Sequence, residues 1–112
     1  MDITLIPHVC EALQASKQVV LATIVETKGS TPRKIGSQML IFRDGQVRGT
    51  IGGGCGEAEV KIAALCVFDV GKSSLHQVTM LNDIASEEGM ACGGIMQVFL
   101  QLIGSSENII KA

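Results

Sequence analysis

The sequence predicts one α/β domain of the α+β kind, a mixed β-sheet with two main helices packed against it. Three observations predict this. The chain has 112 residues, enough to close one hydrophobic core and too few for two. Apolar residues recur at helical spacing in two segments, about 4–17 and 55–70. Between and after them, short β-branched runs alternate with glycine-bearing turns, giving the order α-β-loop-β-β-α-β-loop-β.

In the first helix Ile6, Val9, Cys10 and Leu13 fall at i, i+3, i+4 and i+7 and form one apolar face. With Thr4 as its cap, Pro7 sits in the first turn, where a missing N–H is tolerated. Val19 to Val25 is a continuous β-branched run, too uniformly apolar to have a wet face, and reads as a central strand. Residues 28–37 hold glycines, a proline and hydroxyls and form a long polar loop. Gln38 to Phe42 and Gln46 to Ile51 flank Arg43-Asp44-Gly45, whose Asp-Gly pair turns two antiparallel strands.

After Gly52-Gly53-Gly54 a helix runs from about Cys55 to Val70 and stops at Gly71, with Glu57 and Glu59 where the helix dipole favours acids. Ile62 to Phe68 is apolar throughout, so this helix is expected to be covered on more than one side. Leu75 to Leu81 and Met96 to Ile103 are strand-like, separated by an irregular acidic stretch at 82–94. The whole of 1–112 reads as a single domain with a core at about 4–104 and a tail at 105–112.

Composition excludes several functions. A net charge of −2 without Trp or Tyr lacks both the basic footprint and the stacking aromatics of a nucleic-acid binder. Apolar runs are too short to span a bilayer, and Met1-Asp2 opens no export signal, so the expected compartment is the cytoplasm. The four cysteines are then expected as free thiols. Cys10 and Cys66 fall in apolar helical patterns and read as core, while His8 and His76 read as structural histidines.

Gly52-Gly53-Gly54-Cys55-Gly56-Glu57 is the most informative segment. Glycines let backbone N–H groups converge, and the helix start adds partial positive charge, so the turn suits an anion such as phosphate. The same field favours thiolate at Cys55, for metal ligation or sulfur transfer. A tight strand-to-helix turn with Cys55 as a small capping residue accounts for the pattern equally well. No NAD or ATP fingerprint is present: Glu57 stands where a dinucleotide motif requires glycine, and Cys66 where a P-loop does. The loop Gly29-Ser30-Thr31-Pro32-Arg33 adds hydroxyls and a guanidinium suited to phosphate. Cys92-Gly93-Gly94 places a second thiol beside glycines, and whether it shares a pocket with Cys55 is left open by sequence. No Cys-x-x-Cys or His-x-x-x-His spacing supports a structural zinc site.

Three segments in order, Thr27 to Gly36, Gly52 to Glu57, and Cys92-Gly93-Gly94 leading into Val98-Phe99-Leu100, resemble the xanthine dehydrogenase accessory (XdhC/CoxI) proteins. The resemblance covers about residues 10–103. It implies a non-enzymatic maturation factor that binds molybdenum cofactor, supports its sulfuration and delivers it to an apo molybdenum hydroxylase of the xanthine or CO dehydrogenase type. On that implication Ser30, Arg33, Gly52, Gly53, Gly54, Cys55, Glu57, Cys92 and Gly93 surround the cofactor, with Cys55 and Cys92 nearest the metal. A cysteine desulfurase or a cofactor-nucleotide transferase is implied as a further partner. Many members of that family carry a second, dinucleotide-fold domain. This chain is expected to be the first domain alone, pairing with a twin as a homodimer or with a separate second-domain partner through the apolar 62–68 stretch. Two rivals remain: a small thiol enzyme, a sulfurtransferase or redox protein with Cys55 as nucleophile, and a regulatory interaction subunit whose glycine turn is only structural.

Overall fold

The computed structural model describes residues 3–29, 31, 33–52, 54–80 and 94–104, except the side chains of residues 54, 55 and 80. Ser30, Gly53, Cys92, Gly93, most of the 82–94 stretch and the expected tail lie outside the described residues.

Five strands form one sheet: β1 (Val19–Lys28), β2 (Gln38–Phe42), β3 (Val47–Gly49), β4 (Ser74–Met80) and β5 (Gly94–Ile103). Their spatial order is β3-β2-β1-β5-β4. The α+β class and its two helices, α1 (Ile6–Gln14) and α2 (Gly54–Val70), stand as expected. The strand directions, however, are not mixed, since all four pairings are antiparallel. The connections explain this. β3 and β4 run in the same direction, but the α2 crossover carries the chain from one edge of the sheet to the other, so they never become neighbours.

β1 lies at the centre and is buried on both faces, which is why its apolar run does not alternate. On one face Val20, Ala22 and Ile24 join Met39, Ile41, Met96 and Val98 beneath Val60, Ala64, Val67 and Phe68 of α2. On the other, Val19, Leu21 and Leu40 pack under Leu5, Val9 and Ala12.

Helix α1 differs from expectation. A 3-10 turn occupies Ile3–Leu5, so Leu5 rather than Thr4 stands at the N-cap, and Pro7 keeps its place in the first turn. The buried stripe is Leu5-Val9-Ala12, while Ile6, Cys10 and Leu13 are exposed, because the face that meets Val19, Leu21 and Leu40 runs at i, i+4 and i+7 from Leu5 rather than from Ile6. The helix ends before 17 in a Schellman arrangement. Ser16 takes φ 56°, its N–H donates to Leu13 O, and Lys17 N–H reaches back to Ala12 O.

Helix α2 matches its expected limits and stops where the Gly71 N–H donates to Val67 O. Among the described residues it is covered on one side only. Ile62 is 66% exposed, Leu65 and Val70 are exposed, and so is Cys66, which joins Cys10 as a correction to the core reading. An apolar run cannot tell which of its residues meet the sheet when nearly all of them qualify.

The hairpin forms as the Asp-Gly pair predicts. Gly45 N–H donates to Phe42 O, Phe42 N–H to Gln46 O, and Asp44 Oδ1 accepts from Gln46 N–H at 3.0 Å. Arg43 secures this turn to the rest of the fold: its guanidinium donates to Gln18 Oε1 at 3.0 Å and lies 5.1 Å from the Phe68 ring centroid.

Candidate functional site

Strand register gathers the predicted segments at one end of the sheet. Lys28, the last residue of β1, pairs with Ile95, so the polar loop begins beside the start of β5. Gln38, where that loop ends, pairs with Thr23. Gly49 pairs with Met39, which brings the end of β3, and the turn into α2, to the same end. Met80 pairs with Gly94, and the segment carrying Cys92 and Gly93 connects those two residues. Three stretches far apart in sequence therefore leave the sheet together.

The polar loop is a closed excursion from β1. Gly36 N–H donates to Ile24 O at 2.8 Å and Ile24 N–H donates to Ser37 O at 3.0 Å, pinning its return. Thr31 Oγ1 donates to Arg33 O at 3.0 Å. Arg33 and Lys34 are exposed, and Lys28 is only 3.9 Å from exposed Glu26, a weak pair in water. The pairing of β1 with β5 slips between Ile24 and Glu26, leaving Val25 exposed. Such a bulge adds twist next to the loop.

At the strand-to-helix turn Ile51 is 1% exposed and anchors the chain in the core. Gly52 takes φ 130°, a conformation that side-chain-bearing residues rarely adopt. Its N–H donates to Thr50 Oγ1 at 3.0 Å, while the Thr50 hydroxyl donates in turn to Glu57 Oε2. The same carboxylate oxygen accepts from Ile51 N–H at 3.3 Å. Glu57 thus reaches back from the first turns of α2 and closes the turn on itself. Sequence reasoning missed Thr50. A hydroxyl and a carboxylate seven residues apart do not fit the three-residue spacing of a capping box, so no local signal marked the pair.

Cys55 lies in the first turn of a helix of 17 residues, at the end where N–H groups lack intrahelical acceptors. This end therefore combines exposed cationic side chains, a helix N-terminus and a thiol-bearing residue. The arrangement suits an anion that also carries a soft metal centre. Among the described residues no group of three or more His, Cys, Asp or Glu is placed to hold a metal ion.

The histidines take no part in this site. His76 Nε2 is 2.7 Å from Glu59 Oε2, tying β4 to α2. His8 lines a depression of about 250 Å³ at the other end of the sheet, with Glu11, Lys17, Phe42, Asp44 and Arg48, and none of the predicted residues is there. No helix among the described residues is long and apolar enough to cross a membrane.

The sequence model of the XdhC and CoxI family matches residues 12–79. The molybdenum cofactor insertion chaperone PaoD of Escherichia coli (strain K12) is 30% identical over 96% of this chain and 33% of its own length. A probable xanthine dehydrogenase subunit from Bacillus subtilis (strain 168) is 33% identical over 81% of this chain and 28% of its own. A crystal structure of a xanthine dehydrogenase from Bacillus halodurans matches with a TM-score of 0.65 at 28% identity, over 88% of this chain and 30% of that one. The chain spans a third or less of the length of the curated relatives it matches.

Proposed function

The chain belongs to the XdhC and CoxI family, and from that premise we propose that it is a molybdenum-cofactor-binding accessory protein, a non-enzyme that serves the maturation of a molybdenum hydroxylase in the cytoplasm. The observation that carries this reading is the convergence, by strand register, of the 29–36 loop, the 52–57 turn and the start of β5 on one end of the sheet. PaoD, a molybdenum cofactor insertion chaperone, is similar to this chain along nearly all of it.

The cofactor presents a phosphate and a thiophilic metal, and each has a counterpart at this end. Arg33, with Ser30 and the N–H groups of the first turn of α2, takes the phosphate. Cys55, joined by Cys92, offers thiolate to the metal or its exchangeable sulfur. Gly52, Gly53, Gly54 and Gly93 keep the approach free of side chains. Glu57 holds the turn in shape through Thr50 and Ile51 rather than presenting its bonded oxygen outward. The apo-hydroxylase is the partner that receives the cargo, and a cysteine desulfurase or cofactor-nucleotide transferase supplies or modifies it.

Anaerobic purification from a molybdenum-replete host, followed by metal analysis and pterin fluorescence, tests the reading. Wild type retains both metal and pterin, Cys55→Ala loses metal, and Arg33→Ala loses pterin at moderate salt. Retention of nothing by the wild type, or undiminished binding by Cys55→Ala, removes the chemical core of the proposal. Turnover of a sulfur donor that depends on Cys55 without cofactor would favour a thiol enzyme instead.

A further inference from the structure

The 28–37 loop returns to β1 through a fastened corner. Ser37 N–H donates to Lys34 O at 3.1 Å, closing a four-residue turn with Ile35 and Gly36 at its two central positions, Gly36 at φ 95°. Gly36 N–H donates to Ile24 O and Ile24 N–H to Ser37 O, so the turn is bonded to β1 in both directions. One residue beyond the Ile24–Gly36 bond, this pairing sets Val25 and Ile35 opposite each other. Val25 is the residue that the slip between β1 and β5 leaves outward. It is 45% exposed and Ile35 61%, and they pack into neither core cluster. Turn corners ordinarily carry glycine or polar residues. Here two aliphatic side chains stand side by side on a rigid support.

The surroundings of this pair are basic. Residues 23–37 carry Lys28, Arg33 and Lys34 against one acid, Glu26, although the chain as a whole is at −2. All three cations are exposed. An apolar centre with a charged rim is the anatomy of a protein-recognition patch, in which the centre sets how long a contact lasts and the rim steers its formation.

We propose that this patch docks the protein that receives the cargo, which meets it with an acidic surface whose apolar centre seats Val25 and Ile35. The inference rests on the accessory reading above and names the surface that reading uses. Two observations choose the occupant. Transfer without release into water brings the receiver to the end of the sheet from which the 52–57 turn and the start of β5 also emerge, and the patch lies at that end. A second copy, by contrast, related by a twofold axis through the patch, sets Lys28, Arg33 and Lys34 against their own images, a like-charge contact. Two aliphatic side chains make a small centre, which suits a carrier that lets its receiver go, since transient complexes lie at the low end of interface size.

Surface plasmon resonance of the cargo-free chain over an immobilised apo molybdenum hydroxylase, taken from the same organism in a strain that makes no cofactor, tests it. Wild type binds. Ile35→Ser combined with Val25→Thr weakens binding about tenfold, chiefly through faster dissociation. Lys34→Gln slows association and flattens its dependence on salt while dissociation stays as in wild type. Ile62→Ser, equally exposed but on α2, changes neither rate. All of these variants keep the metal and pterin retention of wild type, which separates docking from cargo binding, and far-UV circular dichroism confirms that each folds. A wild type that holds no cofactor yet binds the enzyme through Val25 and Ile35 defeats the cofactor reading and leaves the docking surface standing. No binding by wild type overturns the proposal, as does binding unchanged in the Ile35→Ser, Val25→Thr variant. It is overturned too if those substitutions spare enzyme binding but dissociate a homodimer in sedimentation velocity, or abolish flotation with phosphatidylserine vesicles.

Discussion

Gly49 is the residue whose replacement the structure prices most sharply. It ends β3 at φ 80°, and a Cβ placed there would stand 2.7 Å from Gln38 O and 3.5 Å from both Met39 Cα and Leu5 Cδ2. The nearest atom belongs to the backbone of a paired strand and cannot rotate away. A left-handed conformation costs a non-glycine residue roughly 1–2 kcal/mol, and overpacking against fixed neighbours adds about 1–3 kcal/mol. Gly49→Ala should therefore lose about 2–5 kcal/mol, a large fraction of the roughly 5–15 kcal/mol that holds a domain of this size. At a urea slope of about 2 kcal/mol per molar the midpoint should fall by about 1–2.5 M, with the slope unchanged. Since β3 leads within three residues to Gly52, cofactor retention should fall as well, in samples still shown to be folded. A midpoint within about 0.3 M of wild type would refute the reasoning, because it would mean that β2 and β3 part at no cost.

Thr50→Val removes the hydroxyl that joins Gly52 N–H to the Glu57 carboxylate, and should cost about 1–2 kcal/mol while Thr50→Ser stays near wild type in the same denaturation series. Ser16→Gly should stabilise by about 0.5–1 kcal/mol, since the Schellman position at φ 56° suits glycine better than serine, and a rise in thermal midpoint checks it.

The local elements around the candidate site were legible because short segments set them. The glycine run before an apolar helical pattern marked the start of α2 to within one residue. The Asp-Gly turn fixed the β2–β3 hairpin. What could not be read was the pairing between Thr50 and Glu57, which exists only because the turn at Gly52 folds the chain back on itself. Nor could the α1 stripe be read correctly, since Cys10 and Ala12 are both acceptable to a helical period and only the sheet beneath selects between them.

By itself the sequence determined the local elements: their periods, their turn residues, and the continuous apolar run that demanded a strand buried on both faces. Those are properties of neighbouring residues, set by backbone geometry and side-chain branching. The tertiary structure alone decided that all strand pairs are antiparallel, that β4 rather than β1 is left at an edge, and that loops some twenty to sixty residues apart emerge at one end of the sheet. Those depend on register and strand order, which arise from long-range packing and leave no short-range pattern to read.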